Sequence, residues 1–230
     1  MRTGRTSRGG FGAVSARARH EAELFYADLI GRPARRGTLA RAEGEDAEAT
    51  PPPPEWLAIA QRLPVTYTRP QMPMEPRILG VVVHTTNHGA GEETLERFQR
   101  DWQGLQFQSA HFAVDRAGNI GQYRSTREVA WHINEPSVRY FGIEHIAKHK
   151  QELTAEQLER SARLIGDLAV LFSFPARRLT AAGQPGIGIH VDFKPTGCGQ
   201  NVFWVGTTGQ RTPVFDRLVA RANDYATLGY

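Results

Sequence analysis

The sequence predicts an α/β fold: a single domain with a central mixed β-sheet flanked by helices, preceded by a partly disordered N-terminal extension. Three observations predict it. Residues 78–83 form the apolar run Ile-Leu-Gly-Val-Val-Val, which ends at His84 and has the length and composition of a buried strand. Two later apolar runs flank Asp115-Arg116-Ala117-Gly118-Asn119, a turn sequence that reads as the tip of a hairpin. After Thr154, the residues Leu158, Ala162, Ile165, Ala169 and Phe172 recur on one helical stripe, and strands interleaved with such helices are the signature of α/β architecture.

Taken in order, residues 15–30 carry Leu24, Phe25, Leu29 and Ile30 among charges, enough for one short amphipathic helix. Residues 31–54 run through Arg32, Arg35 and Arg36, an acidic patch and four prolines, a composition that favours an extended linker. A short helix is expected around residues 56–63, with the boundary near residue 70 dividing an extension (1–70) from the folded domain (71–230). Leu95, Phe98, Trp102 and Leu105 then follow helical spacing, so this helix is expected to lie on the sheet. Residues 110–114 and 120–123 are the hairpin strands, and 138–147 read as another strand. Thr154 and Gln157 form a capping-box pair at the start of the clearest helix, which Pro175 stops. Residues 186–191 deliver His190, a loop delivers Cys198, and a last helix is expected to include 214–222. No internal repeat is present.

The chain has 230 residues, 40% hydrophobic and 23% charged, which is ample for one core of ordinary size. A lone cysteine excludes an intrachain disulfide framework. The net charge of +4 is concentrated at the start, where residues 1–20 hold Arg2, Arg5, Arg8, Arg17, Arg19 and no acid. Such an arm suits nucleic acid, anionic lipid or anionic wall polymer, or is a solvated tail. No stretch approaches the roughly 20 apolar residues of a membrane span, and no secretory apolar region follows the basic start.

Cys198 stands eight positions after His190 in the run Ile-His-Val-Asp-Phe-Lys-Pro-Thr-Gly-Cys-Gly. Two zinc-type donors on one short segment call for a third, because a catalytic zinc usually takes three protein ligands and keeps one position open. His84, at the mouth of a buried strand and followed by Thr85 and Thr86, is the leading third ligand. One Zn2+ ion is therefore expected, in a cleft at one edge of the sheet.

These features occur together with Ser109-Ala110-His111-Phe112-Ala113-Val114-Asp115, Ala130-Trp131-His132 and Phe141-Gly142-Ile143-Glu144. Residues from about 75 to 205 resemble the zinc-dependent N-acetylmuramoyl-L-alanine amidases of the peptidoglycan-recognition and phage-lysozyme superfamily. The resemblance implies that His84, His190 and Cys198 bind zinc. It also implies hydrolysis of the amide between N-acetylmuramic acid and the L-alanine of the stem peptide. Glu144 is then the expected proton shuttle, since bacterial members related to the cytosolic recycling amidase carry a catalytic glutamate after a similar Gly-Ile pair. Phage lysozyme-type members place a catalytic tyrosine where this chain has Ala110. Many members also carry a lysine where Thr196 stands, although active peptidoglycan-recognition amidases use threonine there. Thr196 is expected to hydrogen-bond the tetrahedral intermediate.

Trp131, His111, His132 and Lys194 are the expected substrate contacts, with His111 and His132 alternatively orienting a ligand or serving structure. Trp102, at helical spacing, is expected in the core. His145 and His149 have helical i, i+4 spacing but fall in a strand, so they are not expected to bind metal.

Three functions compete: a wall-cleaving amidase, a module that recognises muropeptides without cutting them, and a nucleic-acid binder with structural zinc. Both histidines and the cysteine are retained, which favours the enzyme. The arginine arm lacks interleaved aromatics and a base-reading helix, which disfavours nucleic acid. The expected partner is bacterial peptidoglycan or a soluble muropeptide, the expected state a monomer, and the setting a phage lysin, an exported effector or a cytosolic recycling enzyme.

Overall fold

The computed structural model describes residues 52–66, 71–86, 94–104, 109–147, 151–206 and 209–228. All lie within one compact unit, Pro51–Tyr230. The expected helix over 15–30, the basic arm and the linker up to residue 51 lie outside the described residues.

Among the described residues, six strands form one mixed sheet: β1 (Gln61–Arg62), β2 (Gly80–Thr85), β3 (Phe112–Val114), β4 (Ile120–Gln122), β5 (Tyr140–His145) and β6 (Gly186–Ile189), in the order β1-β4-β3-β5-β2-β6. Only the β3–β4 pair is antiparallel. Its turn is built by Asp115, whose Oδ1 accepts from the N–H groups of Ala117 (2.9 Å) and Asn119 (2.8 Å), an Asx-type turn. Side chains alternate between the two faces along a strand, so β2 divides its residues. Val81 and Val83 join Phe141, Ile143, Ile187 and Ile189 in the main core. Val82 lies with Leu79, Ile133 and Tyr140 on the opposite face.

The main core is closed by α2 (Ala155–Phe172) and α3 (Pro213–Leu228). On the other face α1 (Leu95–Trp102) covers Ala113 and Tyr123 with Leu95 and Phe98. On this face the carboxyl ends of β2 and β5 border a cavity, between α1 and the loops that follow β6. Thr94 and Thr154 cap α1 and α2 by accepting from the N–H groups of Arg97 and Gln157, each worth about 1 kcal/mol.

The α/β class, the hairpin and α2 match the sequence reading. Several boundaries differ for stated reasons. Residues 56–63 form no helix: Leu63 and Val65 donate backbone hydrogen bonds to the carbonyls of Gln122 and Tyr123 (2.8 and 3.1 Å), which draws β1 onto the sheet beside β4. Leu57, Leu63 and Val65 are buried there, so residues 52–66, read as the approach to a boundary near residue 70, belong to the folded unit that begins at Pro51. The strand expected over 138–147 begins at Tyr140, because Glu135–Arg139 is a 3-10 turn with a proline at its start. Gln157 does not complete a capping box; its amide donates to the carbonyls of Val114 (2.9 Å) and Ile146 (3.1 Å) and pins α2 to the sheet. The last helix runs well past residue 222, and a short hairpin of β7 (Trp204–Val205) and β8 (Gln210–Arg211) precedes it. No helix among the described residues is long and apolar enough to cross a membrane.

His145 lies on the helix side of β5. Its Nδ1 is 2.9 Å from the His84 carbonyl and its Nε2 is 2.8 Å from Ser161 Oγ. Burial lowers its pKa to about 4, and burial likewise holds His111 well below the ordinary value. A histidine whose pKa is depressed on folding binds more protons unfolded than folded between the two values. Its stabilising contribution is therefore intact above pH ~6.5 and is lost as pH falls towards 4, at about 1 kcal/mol per pH unit. Urea unfolding of chelator-treated protein is expected to weaken over that window. His145→Gln, which cannot titrate, is expected to reduce the slope by about 1 kcal/mol per pH unit.

Candidate metal centre

In the parallel register of β2 and β5, His84 stands opposite Glu144, both at the carboxyl ends of their strands, where open α/β sheets place their ligands. β6 pairs with β2 on its other side and runs directly into a 3-10 turn that starts at His190. Asp192 secures that turn: its Oδ2 accepts from the Ile189 N–H (2.9 Å) and Arg211 forms an ion pair with it. The loop that follows brings Cys198 back to β2. Thr85 Oγ1 accepts from the Gly199 N–H (3.0 Å), and Trp204 Nε1–H donates to the Cys198 carbonyl (2.8 Å). Gly199 takes a φ of 73°, a left-handed conformation that suits glycine and lets the chain turn immediately after the cysteine.

One donor atom from each of His84, His190 and Cys198 lies within 4.8 Å of the others. His84 Nδ1 is 3.5 Å from Cys198 Sγ. Ligands about 2.0 and 2.3 Å from a tetrahedral zinc would stand about 3.5 Å apart, so the separation fits. His190 Nε2 is buried without a hydrogen-bond partner among the described residues, an expense a protein rarely carries without a reason. Burial, then the neighbouring His132 and His190 rings, lower His84 well below its ordinary pKa. Burial and then Lys194 bring His190 to about 4. Both imidazoles are thus neutral, the form that offers a lone pair. Burial pushes the Cys198 thiol up, and the Glu144 carboxylate adds to the effect. The thiol therefore holds its proton until a cation displaces it. Two neutral histidines and a thiol waiting for a cation suit a soft divalent metal.

The three donors open onto a cavity of about 390 Å3. Glu144, Thr196, Trp131 and His132 line it, together with Trp102, which the helical spacing placed in the core, and with Ser109 and Phe98, which the sequence did not single out for the site. Trp102 packs edge-on against Phe98 and Tyr123 and still presents surface to the cavity, so it is both core and wall. Ser109 offers a buried hydroxyl with no partner among the described residues; its place beside Ala110-His111 was the only signal in the sequence. Thr196 Oγ1 accepts from the Cys198 N–H (3.1 Å), which leaves its own proton available.

Two expected substrate contacts are not in the cavity wall. His111 is wholly buried: its Nδ1 accepts from the Gly142 N–H (3.1 Å), and its Nε2 lies 2.9 Å from the Glu128 carbonyl. With both nitrogens engaged by backbone, it ties β3 to β5 and to the loop beyond, a structural duty. Lys194 also lies outside the wall, although its charge reaches His190. His20, His88 and His149 fall outside the described residues.

The family model for N-acetylmuramoyl-L-alanine amidase (Amidase_2) matches residues 74–198, more than half of the chain. The chain therefore belongs to the type 2 N-acetylmuramoyl-L-alanine amidase family. No curated protein sequence matches it. Among solved structures it is similar to the endolysin N-acetylmuramoyl-L-alanine amidase LysCS from Clostridium intestinale URNW (19% identity, TM-score 0.51, covering 74% of this chain and 98% of that one). It is also similar to Staphylococcus aureus hydrolase AmiA in complex with its ligand (16%, 0.51, 75% and 86%), and to a mutant endolysin from Bacillus subtilis (17%, 0.50, 70% and 96%). At these identities the likeness is one of fold.

The Cys198 loop depends on its two anchors. Thr85→Val strands the buried Gly199 N–H and is expected to cost about 1–3 kcal/mol in urea unfolding. Trp204→Phe, which leaves a carbonyl nearer solvent unpaired, is expected to cost about 1 kcal/mol.

Proposed function

We propose that the protein is a zinc-dependent amidase that hydrolyses the bond between N-acetylmuramic acid and L-alanine in bacterial peptidoglycan. The observation that carries this reading is the convergence of His84, His190 and Cys198 beside Glu144 at the floor of one cleft, in a chain of the amidase family. Three protein donors would suit a catalytic zinc, which usually takes three protein ligands and keeps one position for water or substrate.

A zinc ion held by His84, His190 and Cys198 would supply Lewis acidity towards the scissile carbonyl and towards a nucleophilic water. The chain's own groups account for the proton traffic. Glu144, opposite His84 in the β2–β5 register and lining the cavity, takes a proton from the attacking water. It then returns that proton to the leaving nitrogen of L-alanine, so one carboxylate serves as base and acid in turn. Thr196, with its oxygen engaged by the Cys198 N–H, donates its hydroxyl proton to the carbonyl oxygen as negative charge develops there. Trp131 and Trp102 line the same cavity and give apolar faces on which a sugar ring or lactyl group rests, shielding the reacting amide from bulk water.

The test is product analysis by mass spectrometry after incubation of zinc-loaded protein with intact peptidoglycan and, separately, with soluble muropeptide. Free stem peptides with a new L-alanine amino terminus are expected from the wild type. Glu144→Gln is expected to lose at least about 100-fold in turnover while keeping its zinc, and Cys198→Ala is expected to lose both. Binding of peptidoglycan by the wild type without any such product would replace the enzyme with a recognition module. The substrate cut faster separates a wall-lytic role from a recycling one.

A further inference from the structure

His132 is a mostly buried residue of the cavity wall, and its ring meets that of His84 edge to face, with centroids 5.1 Å apart. Its Nε2 is 2.9 Å from the Tyr140 carbonyl oxygen and its Nδ1 is 3.0 Å from His84 Nε2. A carbonyl oxygen accepts and never donates, so the first contact is a hydrogen bond only if His132 carries its proton on Nε2. The bare Nδ1 can then only accept, and the proton between the two rings belongs to His84 Nε2. A neutral imidazole has one N–H. His84 Nδ1 is therefore left with an unshared lone pair, and this is the nitrogen 3.5 Å from Cys198 Sγ. The opposite arrangement would set a bare His132 Nε2 against the Tyr140 carbonyl, two acceptors 2.9 Å apart with no proton between them.

We infer that His132 is a positioning residue, which fixes the tautomer and ring orientation of His84 so that Nδ1 is presented towards His190 and Cys198. The inference rests on the metal-centre reading for its purpose, but the proton assignment stands on the hydrogen bonds alone. Outer groups of this kind orient histidine ligands in metal sites generally, most often through a carboxylate or a carbonyl. Here a second histidine passes the direction of a backbone carbonyl on to the ligand.

The surroundings of His132 are built to hold this pose. Its backbone N–H and that of Ile133 donate to the buried Ser137 hydroxyl (3.2 and 3.0 Å). Its ring lies flat on the backbone of β5: a Cβ added at Gly142 would fall 2.6 Å from His132 Cγ and 2.7 Å from Cδ2. Gly142 is thus required for the ring to reach both partners, and the Gly-Ile-Glu run and the Ala-Trp-His triplet are parts of one device. Tyr140, whose carbonyl starts the chain of bonds, is itself tied by its hydroxyl to the Gln184 carbonyl (2.8 Å).

Two measurements test this. Long-range 1H–15N NMR of metal-free, 15N-histidine-labelled protein at pH 7 is expected to show both His132 and His84 protonated on Nε2 and bare on Nδ1. A His84 bare on Nε2 in the wild type overturns the inference, whatever the metal result. Zinc affinity, measured by competition with a chelator, is expected to fall about 10–100-fold in His132→Leu. It is expected to recover largely in His132→Asn, which restores an acceptor near the Nδ1 position. Gly142→Ala, which leaves His132 in the chain and displaces its ring, is expected to weaken zinc in the same direction. Wild-type zinc binding with unchanged affinity in both His132→Leu and Gly142→Ala overturns the positioning role. A wild type that binds no zinc sinks the metal-centre reading instead, and the tautomer spectrum still decides the proton assignment.

Discussion

The parallel ladder between β2 and β5 is the constraint on which the rest of the molecule depends. Its register places Val81 and Val83 beside Phe141 and Ile143 on the face covered by α2 and α3. The alternation of side chains along both strands then obliges His84 and Glu144 to emerge on the other face, side by side. A slip of one residue in either strand would send the imidazole or the carboxylate into the helical core. The apolar run that makes β2 a strand is therefore also what aims its terminal histidine.

What surrounds that pair is a balance between burial and chemistry. Three donors are held largely out of water, His84 buried and His190 and Cys198 half-buried at the cavity wall, which keeps the histidines neutral and the thiol protonated. Such an arrangement is unfavourable for the protein alone and favourable for a cation, since each burial penalty turns into attraction once a positive charge arrives. The loop with Cys198 meets this cost through local ties: Thr85 and Trp204 fix its backbone, and Asp192 with Arg211 fixes the turn that carries His190. Stability and site geometry are thus coupled through the same few hydrogen bonds.

Buried histidines divide the labour. His111 and His145 use both ring nitrogens to fasten strands and helix together, whereas His132 uses one for backbone and one for His84. All three are buried, yet only the third lines the cleft. The difference follows from position: His145 points into the helical core, His111 immediately precedes β3 and bonds Gly142, and His132 comes from a loop and packs its ring on Gly142 of β5.

Sequence spacing by itself determined the strand that carries His84, the hairpin around Asp115, the amphipathic α2 and the His190–Cys198 pair. Each is a local pattern of periodicity, turn chemistry or ligand spacing, and such patterns survive without knowledge of distant contacts. Tertiary structure decided what depends on partners far along the chain. Residues 56–63 gave up a helix because the carbonyls of Gln122 and Tyr123 offered a sheet edge. His111 was drawn inside because Gly142 and Glu128 supply it with backbone partners. Trp102 became part of the cleft because α1 ends at its rim. The choice of ligating nitrogen on His84 was illegible in the linear chain for the same reason, since it is set by a carbonyl of Tyr140 that only folding brings beneath it.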